Sequence, residues 1–292
     1  MRKTLPNTLL IGVQKGGTTA LYNWISQHPD VYGDSAMKDF PFFCRDEYFS
    51  RGLDWFSERF DGWNREKIIL HGYVHYLFFA TDTISRLKSF NPKLKLIVVL
   101  RDPVERAFSA FLQAQKIGHE KYERFEDAIE YELSGQLRTF KDLTNKSYIA
   151  QGYYSDNIEA VLNAFPDNQL KVFLYEDICN APQDVCHTIY RHLDLDTKFQ
   201  ANTVSKNVYG VPRSRFLQTI IKNGIASPAL RSLLPLNTRI RIRHALYALN
   251  IRQADKPDMA AETRARLHEV YKDEILKLEK IINRDLTAWK QD

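Results

Sequence analysis

The chain has 292 residues, and 44% of them are apolar, which is enough to build a large buried core. Its 41 basic and 36 acidic residues leave a net charge of +5, a mild excess that suits an anionic ligand but does not indicate a nucleic-acid partner. Three cysteines without paired spacing argue against a disulfide framework and a zinc site, and no apolar segment is long enough for a signal peptide or membrane span. We therefore expect one domain over residues 1–292 in a soluble, cytoplasmic protein.

The hydrophobic pattern predicts strands that alternate with helices. The predicted strands are Thr8–Val13, Ile68–His71, Leu94–Leu100 and Leu170–Tyr175. The predicted helices between and after them are Thr18–His28, Thr83–Phe90, Pro103–Lys116, Phe125–Leu133, Ser155–Phe165 and Gln183–His192. From Ser214 onward we predict no strand, only helices at 220–223, 239–249 and 260–283. The alternation indicates an α/β fold of three layers, P-loop-like, with a central parallel sheet flanked by helices and a helical C-terminal region.

The first strand runs into a glycine-rich turn, Gly12-Val13-Gln14-Lys15-Gly16-Gly17, and then into two threonines that open a helix. Backbone N–H groups of such a turn and the positive end of the helix together bind phosphate. The P-loop of ATPases and kinases has its lysine directly after the last glycine, where Thr18 stands here. Lys15 lies two residues before Gly17 instead, which indicates a reacting group beside a 5′-phosphate and less need for a metal.

A second candidate anion site follows the most apolar strand. Arg101 stands at the carboxyl end of that strand, where open sheets bind ligands, and Ser109 follows eight residues later on the predicted helix. Two anion-binding strand ends in one sheet predict a ligand with phosphate groups in two places.

These two segments resemble the nucleotide motifs of the sulfotransferases that use PAPS (3′-phosphoadenosine 5′-phosphosulfate). The resemblance is to the branch of heparan sulfate sulfotransferases and their bacterial relatives, and it covers most of the chain. The segments that carry it are Gln14–Thr19, Leu100–Ser109, His28–Val31, Lys38–Phe43, Asn207–Arg215, Lys256-Pro257 and Asn283–Trp289.

The resemblance implies a role for each matching residue. The glycine loop holds the 5′-phosphosulfate, and Lys15 stabilises the bridging oxygen as the sulfuryl group leaves. Arg101 and Ser109 hold the 3′-phosphate. The residues that the resemblance places in PAPS binding are Lys15, Gly16, Gly17, Thr18, Thr19, Arg101, Ser109, Arg213 and Lys256.

The catalytic base is where the chain departs from the family. Asp39 stands where the family usually has Glu, and a carboxylate one carbon shorter still acts as a base if the acceptor lies closer. The alternative is that Asp39 is a loop residue paired with Lys38. His75, in a segment where many relatives have a charged residue, is the second candidate base, or else a buried core histidine.

We predict in-line transfer of a sulfuryl group from PAPS to a hydroxyl or amine of a non-protein acceptor, releasing 3′,5′-ADP and needing no metal. The acceptor is a small natural product, a carbohydrate or a glycolipid. Two alternatives stay open, namely a P-loop kinase or other nucleotide-dependent phosphotransferase, and a nucleotide-binding module without catalysis. The sequence predicts no nucleic-acid partner and leaves the oligomeric state open.

Overall fold

The computed structural model describes residues 4–34, 38–204, 210–214, 242, 245, 246, 249–253 and 255–290. The helix predicted at 220–223 and most of the helix predicted at 239–249 lie outside these residues. The described strands are β1 (Thr8–Gly12), β2 (Val31–Tyr32), β3 (Ile68–Gly72), β4 (Lys95–Leu100), β5 (Leu170–Leu174), β6 (Gly210–Pro212) and β7 (Ile251–Gln253).

The α-helices discussed below are numbered in chain order over the described residues. They are α1 (Thr18–Ile25), α2 (Asp46–Phe49), α3 (Gly52–Ser57), α4 (Ala80–Phe90), α5 (Pro103–Lys116), α6 (Phe125–Leu133), α7 (Phe140–Lys146), α8 (Ser155–Ala164), α9 (Tyr175–Asn180), α10 (Pro182–His192) and α11 (Ala261–Ile282). Short 3₁₀ turns lie at Glu58–Phe60, Ala150–Gly152, Asp167–Gln169 and Thr287–Trp289.

Five strands form a parallel sheet in the order β2-β3-β1-β4-β5. The most apolar predicted strand is β4, which lies between β1 and β5, and its residues from Leu96 to Leu100 are fully buried, because helices cover both faces of a parallel sheet. Side chains of α1 and α10 share one hydrophobic cluster with Leu10 of β1 and with Ile97 and Val99 of β4. The predicted parallel α/β fold is confirmed.

The start of α5 shows how the sequence sets an element boundary. Pro103 is the first helical residue, a position where a missing N–H costs nothing. Oδ1 of Asp102 accepts hydrogen bonds from the N–H groups of Val104 at 2.8 Å and Glu105 at 3.3 Å. Asp102 therefore caps the helix directly after the strand end that carries Arg101.

Backbone contacts divide the chain into two compact units. The first contains residues 1–106, 150–205 and 265–292, and with them the whole parallel sheet. The second contains residues 107–149 and 206–264. The single domain over residues 1–292 stays a prediction.

The second unit has a core of its own. Phe125 packs against Phe108 and Phe111, with ring centroids 5.3 and 5.1 Å apart, and Tyr148 packs edge-on against Phe111 at 5.8 Å. Strands β6 and β7 pair antiparallel in this unit. The prediction that no strand follows Ser214 was wrong, because β7 is a three-residue strand whose register comes from pairing with β6 and not from a hydrophobic pattern of its own.

Within the described part of the chain, every helix is too short or too polar to cross a membrane.

Candidate active site

The glycine loop between β1 and α1 has the backbone geometry of an anion site. Lys15 and Gly17 both have left-handed backbones, with φ of 70° and 84°. Gly17 is the N-cap of α1 and has no side chain to accept hydrogen bonds from the first turn of the helix. The N-terminal N–H groups and the positive end of the helix dipole at this eight-residue helix are therefore suited to an external anion.

Gly16 lies so close to β4 that no other residue fits there. The N–H of Val13 donates to the carbonyl of Val99 at 2.9 Å and ties the loop to the strand. A Cβ atom on Gly16 would lie 2.6 Å from the same carbonyl oxygen, which is shorter than any real contact of this kind. The loop follows the strand at van der Waals distance, and this close approach keeps its backbone narrow enough to cradle a phosphate.

Arg101 brings the two predicted motifs together. Its Nη1 donates to the carbonyl oxygen of Lys15 at 3.1 Å, so the arginine at the end of β4 bonds directly to the glycine loop. Its guanidinium also pairs with Glu105 at 3.6 Å, and its buried Nε has no hydrogen-bond partner among the residues that the structure describes. The hydroxyl of Tyr154 donates to the Arg101 carbonyl at 3.0 Å. A fixed, largely buried arginine with an unused donor fits an anionic ligand at this edge of the sheet.

Tyr175 is a site residue that the sequence analysis missed. It begins α9 directly after β5, and its ring lies 3.3 Å from the position of a Cβ on Gly17. The guanidinium of Arg101 lies 4.4 Å from the centroid of the same ring. The sequence could have identified Tyr175, because it stands at the carboxyl end of a predicted strand, and open sheets bind ligands at that edge.

Asp39 lies beside the end of β3, the strand that neighbours β1. Its N–H donates to the carbonyl of Gly72 at 2.7 Å, and its backbone is left-handed with φ of 69°. Its carboxylate is 47% exposed and forms an ion pair with Nζ of Lys38 at 2.7 Å. The pairing with Lys38 weighed above is present, and the carboxylate is still half open to solvent. Its role as base stays a prediction.

The two histidines of this segment are both buried. Burial, and next the charge of Arg106, lowers the pKa of His75 to about 3, although a hydrogen bond to Gln151 acts in the opposite direction. His71 has its Nε2 2.9 Å from the hydroxyl of Tyr76. At neutral pH His75 is an uncharged core residue, and an imidazole with so low a pKa is a weak proton acceptor.

A small pocket, open to solvent, lies against the glycine loop in the first unit. Val13 and Gln14 of the loop form one wall, and Val74 and Leu77 from the turn after β3 form another. Gln151 and Tyr153 are also part of its lining. The pocket places uncharged hydrogen-bonding groups directly beside the loop that carries Lys15.

The remaining predicted residues belong to the second unit. Ser109 is half-buried on α5, the helix that begins just after Arg101. The ammonium of Lys256 lies 5.6 Å from the ring centroid of Phe108, the residue before Ser109. Arg213 is exposed, and its N–H donates to the carbonyl of Asn250 at 2.6 Å. Their assignment to nucleotide binding stays a prediction.

Comparison with known proteins identifies the family. The family model described as a sulfotransferase domain matches residues 5–216. Human heparan sulfate glucosamine 3-O-sulfotransferase 5 is 26% identical over 194 residues, which cover 65% of this chain and 54% of that protein. Human bifunctional heparan sulfate N-deacetylase/N-sulfotransferase 3 is 30% identical over 199 residues, covering 65% of this chain and 22% of that protein.

The fold agrees with that family over nearly the whole chain. The crystal structure of a sulfotransferase from Alicyclobacillus acidocaldarius superimposes with a TM-score of 0.74 at 24% identity, covering 98% of this chain and 99% of that one. The chain spans about half the length of the first curated relative and under a quarter of the second. The family model matches most of the chain, and Arg101 joins the glycine loop to the end of β4. The chain therefore belongs to the sulfotransferase family.

Proposed function

We propose that this protein transfers a sulfuryl group from PAPS to a hydroxyl or amine of a non-protein acceptor. The observation that carries the proposal is the hydrogen bond from Arg101 to the Lys15 carbonyl, which joins the two nucleotide motifs at one edge of the sheet. The family membership supplies the reaction class. The names of two relatives specify heparan sulfate as their substrate, which supports a carbohydrate acceptor, with a small molecule as the alternative.

The roles follow from the chemistry of the residues. N–H groups of the loop and of Thr18 and Thr19 at the start of α1 bind the 5′-phosphosulfate, and the side chain of Lys15 stabilises the leaving phosphate oxygen. Arg101, with Ser109, binds the 3′-phosphate, and the ring of Tyr175 supports Arg101 and Gly17. The acceptor oxygen or nitrogen attacks sulfur, the bond from sulfur to the bridging oxygen breaks, and that oxygen keeps the electron pair. The acceptor proton passes to a base.

Asp39 is the favoured base because its carboxylate is half exposed beside the end of β3. His75 is disfavoured because burial lowers its pKa to about 3 and encloses it in the core. Replacing Asp39 with Asn should lower turnover and leave the binding of 3′,5′-ADP unchanged, whereas His75→Gln should leave both nearly unchanged. Equal turnover in Asp39→Asn and the wild type would remove Asp39 from the mechanism.

A ligand-stabilisation experiment tests the proposed function. We expect 3′,5′-ADP to raise the melting temperature in the presence of EDTA, since a ligand at 100 times its Kd adds about 2.7 kcal/mol of stability. Transfer of radiolabelled sulfate from PAPS to a panel of sugars and phenols then measures turnover. Stabilisation by Mg-ATP alone would contradict the proposal and favour a phosphotransferase, and nucleotide binding without turnover of any acceptor would favour a binding module.

A cytoplasmic location also stays a prediction, which cell fractionation tests.

A further inference from the structure

Two arginines lie on one tryptophan next to the predicted base. The guanidinium of Arg59 is 3.3 Å from the ring centroid of Trp55, and that of Arg51 is 4.7 Å from it. The ring of Tyr48 lies nearly parallel to Trp55, with an angle of 9° and centroids 6.1 Å apart. We call Arg51 and Arg59, with Trp55, Tyr48 and Phe40, the arginine–aromatic surface.

Neither arginine of this surface is neutralised. Among the residues that the structure describes, Arg51 and Arg59 form no ion pair, and the one side-chain hydrogen bond of Arg59 goes from Nη1 to the carbonyl of Trp55 at 2.8 Å. Burial lowers the pKa of Arg59, and the charge of Arg51 acts in the same direction, against the opposing effect of Glu58. The two cations therefore repel each other while ring contacts hold them together.

Two other arginines, one of them on α4, form ion pairs with carboxylates that lie just before Arg51 in the chain. Arg45 forms an ion pair with Glu47 at 2.5 Å, and Arg86 forms one with Asp46. Carboxylates in this part of the chain do form ion pairs with arginines, whereas Arg51 and Arg59 contact the face of the Trp55 ring. Guanidinium groups held by a ring face and not by an ion pair are an arrangement that an external anion stabilises.

The surface adjoins the predicted acceptor side. Phe40 follows Asp39 in the chain, and its ring lies 5.0 Å from the Arg59 guanidinium and 4.8 Å from the Tyr48 ring. Asp39 itself is anchored to Gly72 at the end of β3. An anion bound by these arginines would therefore lie next to the segment that carries the predicted base.

We propose that Arg51 and Arg59 form a subsite for an anionic group of the acceptor, a phosphate, sulfate or carboxylate distinct from the group that is sulfated. The proposal rests on the function proposed above and narrows its substrate class to acceptors that are already negatively charged. Guanidinium groups suit such a role because their planar donors match two oxygens of the anion at once.

Calorimetry with a matched pair of probes tests this subsite. The protein is first titrated with 3′,5′-ADP, which reports the nucleotide site, and is then kept saturated with it so that the glycine loop cannot take the probe. Phenyl phosphate and phenol, which differ only in the phosphate, are titrated next. The variants are Arg51→Gln/Arg59→Gln, Arg51→Lys/Arg59→Lys and, as a control for net charge, Arg138→Gln at an exposed site in the second unit.

We expect phenyl phosphate to bind and phenol to give no heat. The double Gln variant should weaken phenyl phosphate binding at least about tenfold, the double Lys variant should weaken it less, and Arg138→Gln should match the wild type. Equal binding of both probes, or wild-type affinity in the double Gln variant, would overturn the subsite. Failure of the first titration would instead count against the nucleotide site, and the Gln variants would still show whether the anion site exists.

Discussion

At the scale of single residues, Lys15 combines a backbone and a side-chain role. Its backbone carbonyl accepts the hydrogen bond from Arg101, and its left-handed conformation shapes the turn. The contact between the motifs uses the backbone of Lys15, so a change of its side chain leaves that contact in place. The sequence predicted the charge at this position, but the carbonyl contact depends on how closely β1 and β4 approach.

Replacing Lys15 with Ala separates these roles. Because the variant keeps the carbonyl that Arg101 binds, we expect 3′,5′-ADP affinity to fall less than about tenfold, whereas kcat falls at least about a hundredfold through loss of charge at the leaving oxygen. Calorimetry and single-turnover kinetics measure the two effects, with the exposed Lys93→Ala as control. A loss of affinity with unchanged kcat would rule out the leaving-group role.

Replacing Gly16 with Ala tests the close approach of loop and strand. The new Cβ would overlap the Val99 carbonyl, so we expect the loop to move from β4, with about 1–3 kcal/mol lost from the free energy of unfolding and 3′,5′-ADP affinity lowered more than about tenfold. Gly135→Ala is the control for nucleotide binding: its left-handed backbone makes the substitution lower stability, but no atom lies within 4 Å of the new Cβ, so 3′,5′-ADP affinity should not change. Urea unfolding and calorimetry measure both changes, and normal nucleotide binding in Gly16→Ala would contradict the cradle.

At the scale of elements, α11 holds the start of α8 through one carboxylate. Glu274 is buried and accepts from the N–H groups of Tyr154 and Ser155 and from the Ser155 hydroxyl, each at 2.7 Å. It satisfies N–H groups at the start of α8 that have no partner within that helix. Since Tyr154 also bonds to Arg101, a helix distant in sequence supports the strand end that carries the candidate phosphate ligand.

Glu274→Gln should lower the free energy of unfolding by about 1–3 kcal/mol, because a neutral amide replaces a buried, charge-assisted acceptor of three hydrogen bonds. Glu269→Gln on the same helix, whose carboxylate is exposed and pairs only with Lys272 in the salt bridges of the described residues, should change it by less than about 0.5 kcal/mol. Urea titrations compare the two. Equal effects would show that the buried carboxylate adds nothing to helix docking.

Elements with a strong local pattern were predicted closely. The predicted bounds of α5 and α6 agree with the structure, since Pro103 and the amphipathic spacing fix them locally. In the aromatic stretch after β2, where the sequence analysis predicts no helix, the structure forms α2 and α3, and rings such as Phe42 and Phe56 stack with centroids 3.9 Å apart. These short helices depend on packing among rings, which periodicity does not reveal.

At the scale of the whole molecule, buried histidines make stability depend on pH. Burial is the largest cause that lowers the pKa of His75 to about 3 and that of His192 to about 4. The unfolded chain takes up these protons near pH 6.5, the ordinary pKa of histidine, while the folded chain does not. Their contribution to stability is therefore complete above that pH and is lost as the pH falls toward 3–4.

Unfolding in urea between pH 7 and pH 5 tests this dependence. The wild type should lose about 2 kcal/mol through His75 over this range, so the loss in His75→Gln should be smaller by that amount. His192→Gln should also reduce the loss, and the double variant should reduce it most. An equal pH slope in His75→Gln and the wild type would show that His75 is protonated in the folded protein as readily as in the unfolded chain.

The sequence by itself determined the parallel α/β fold and the positions of the two candidate anion-binding strand ends, because a strand buried on both faces and a glycine turn before a helix are local patterns. It also placed Lys15 away from the position that ATP-binding loops use. Only the tertiary structure decided that Arg101 bonds to the Lys15 carbonyl, that Tyr175 lies against Gly17, and that His75 is buried and uncharged at neutral pH. These facts arise from strand order and burial, which join residues far apart in the chain and which no local pattern encodes.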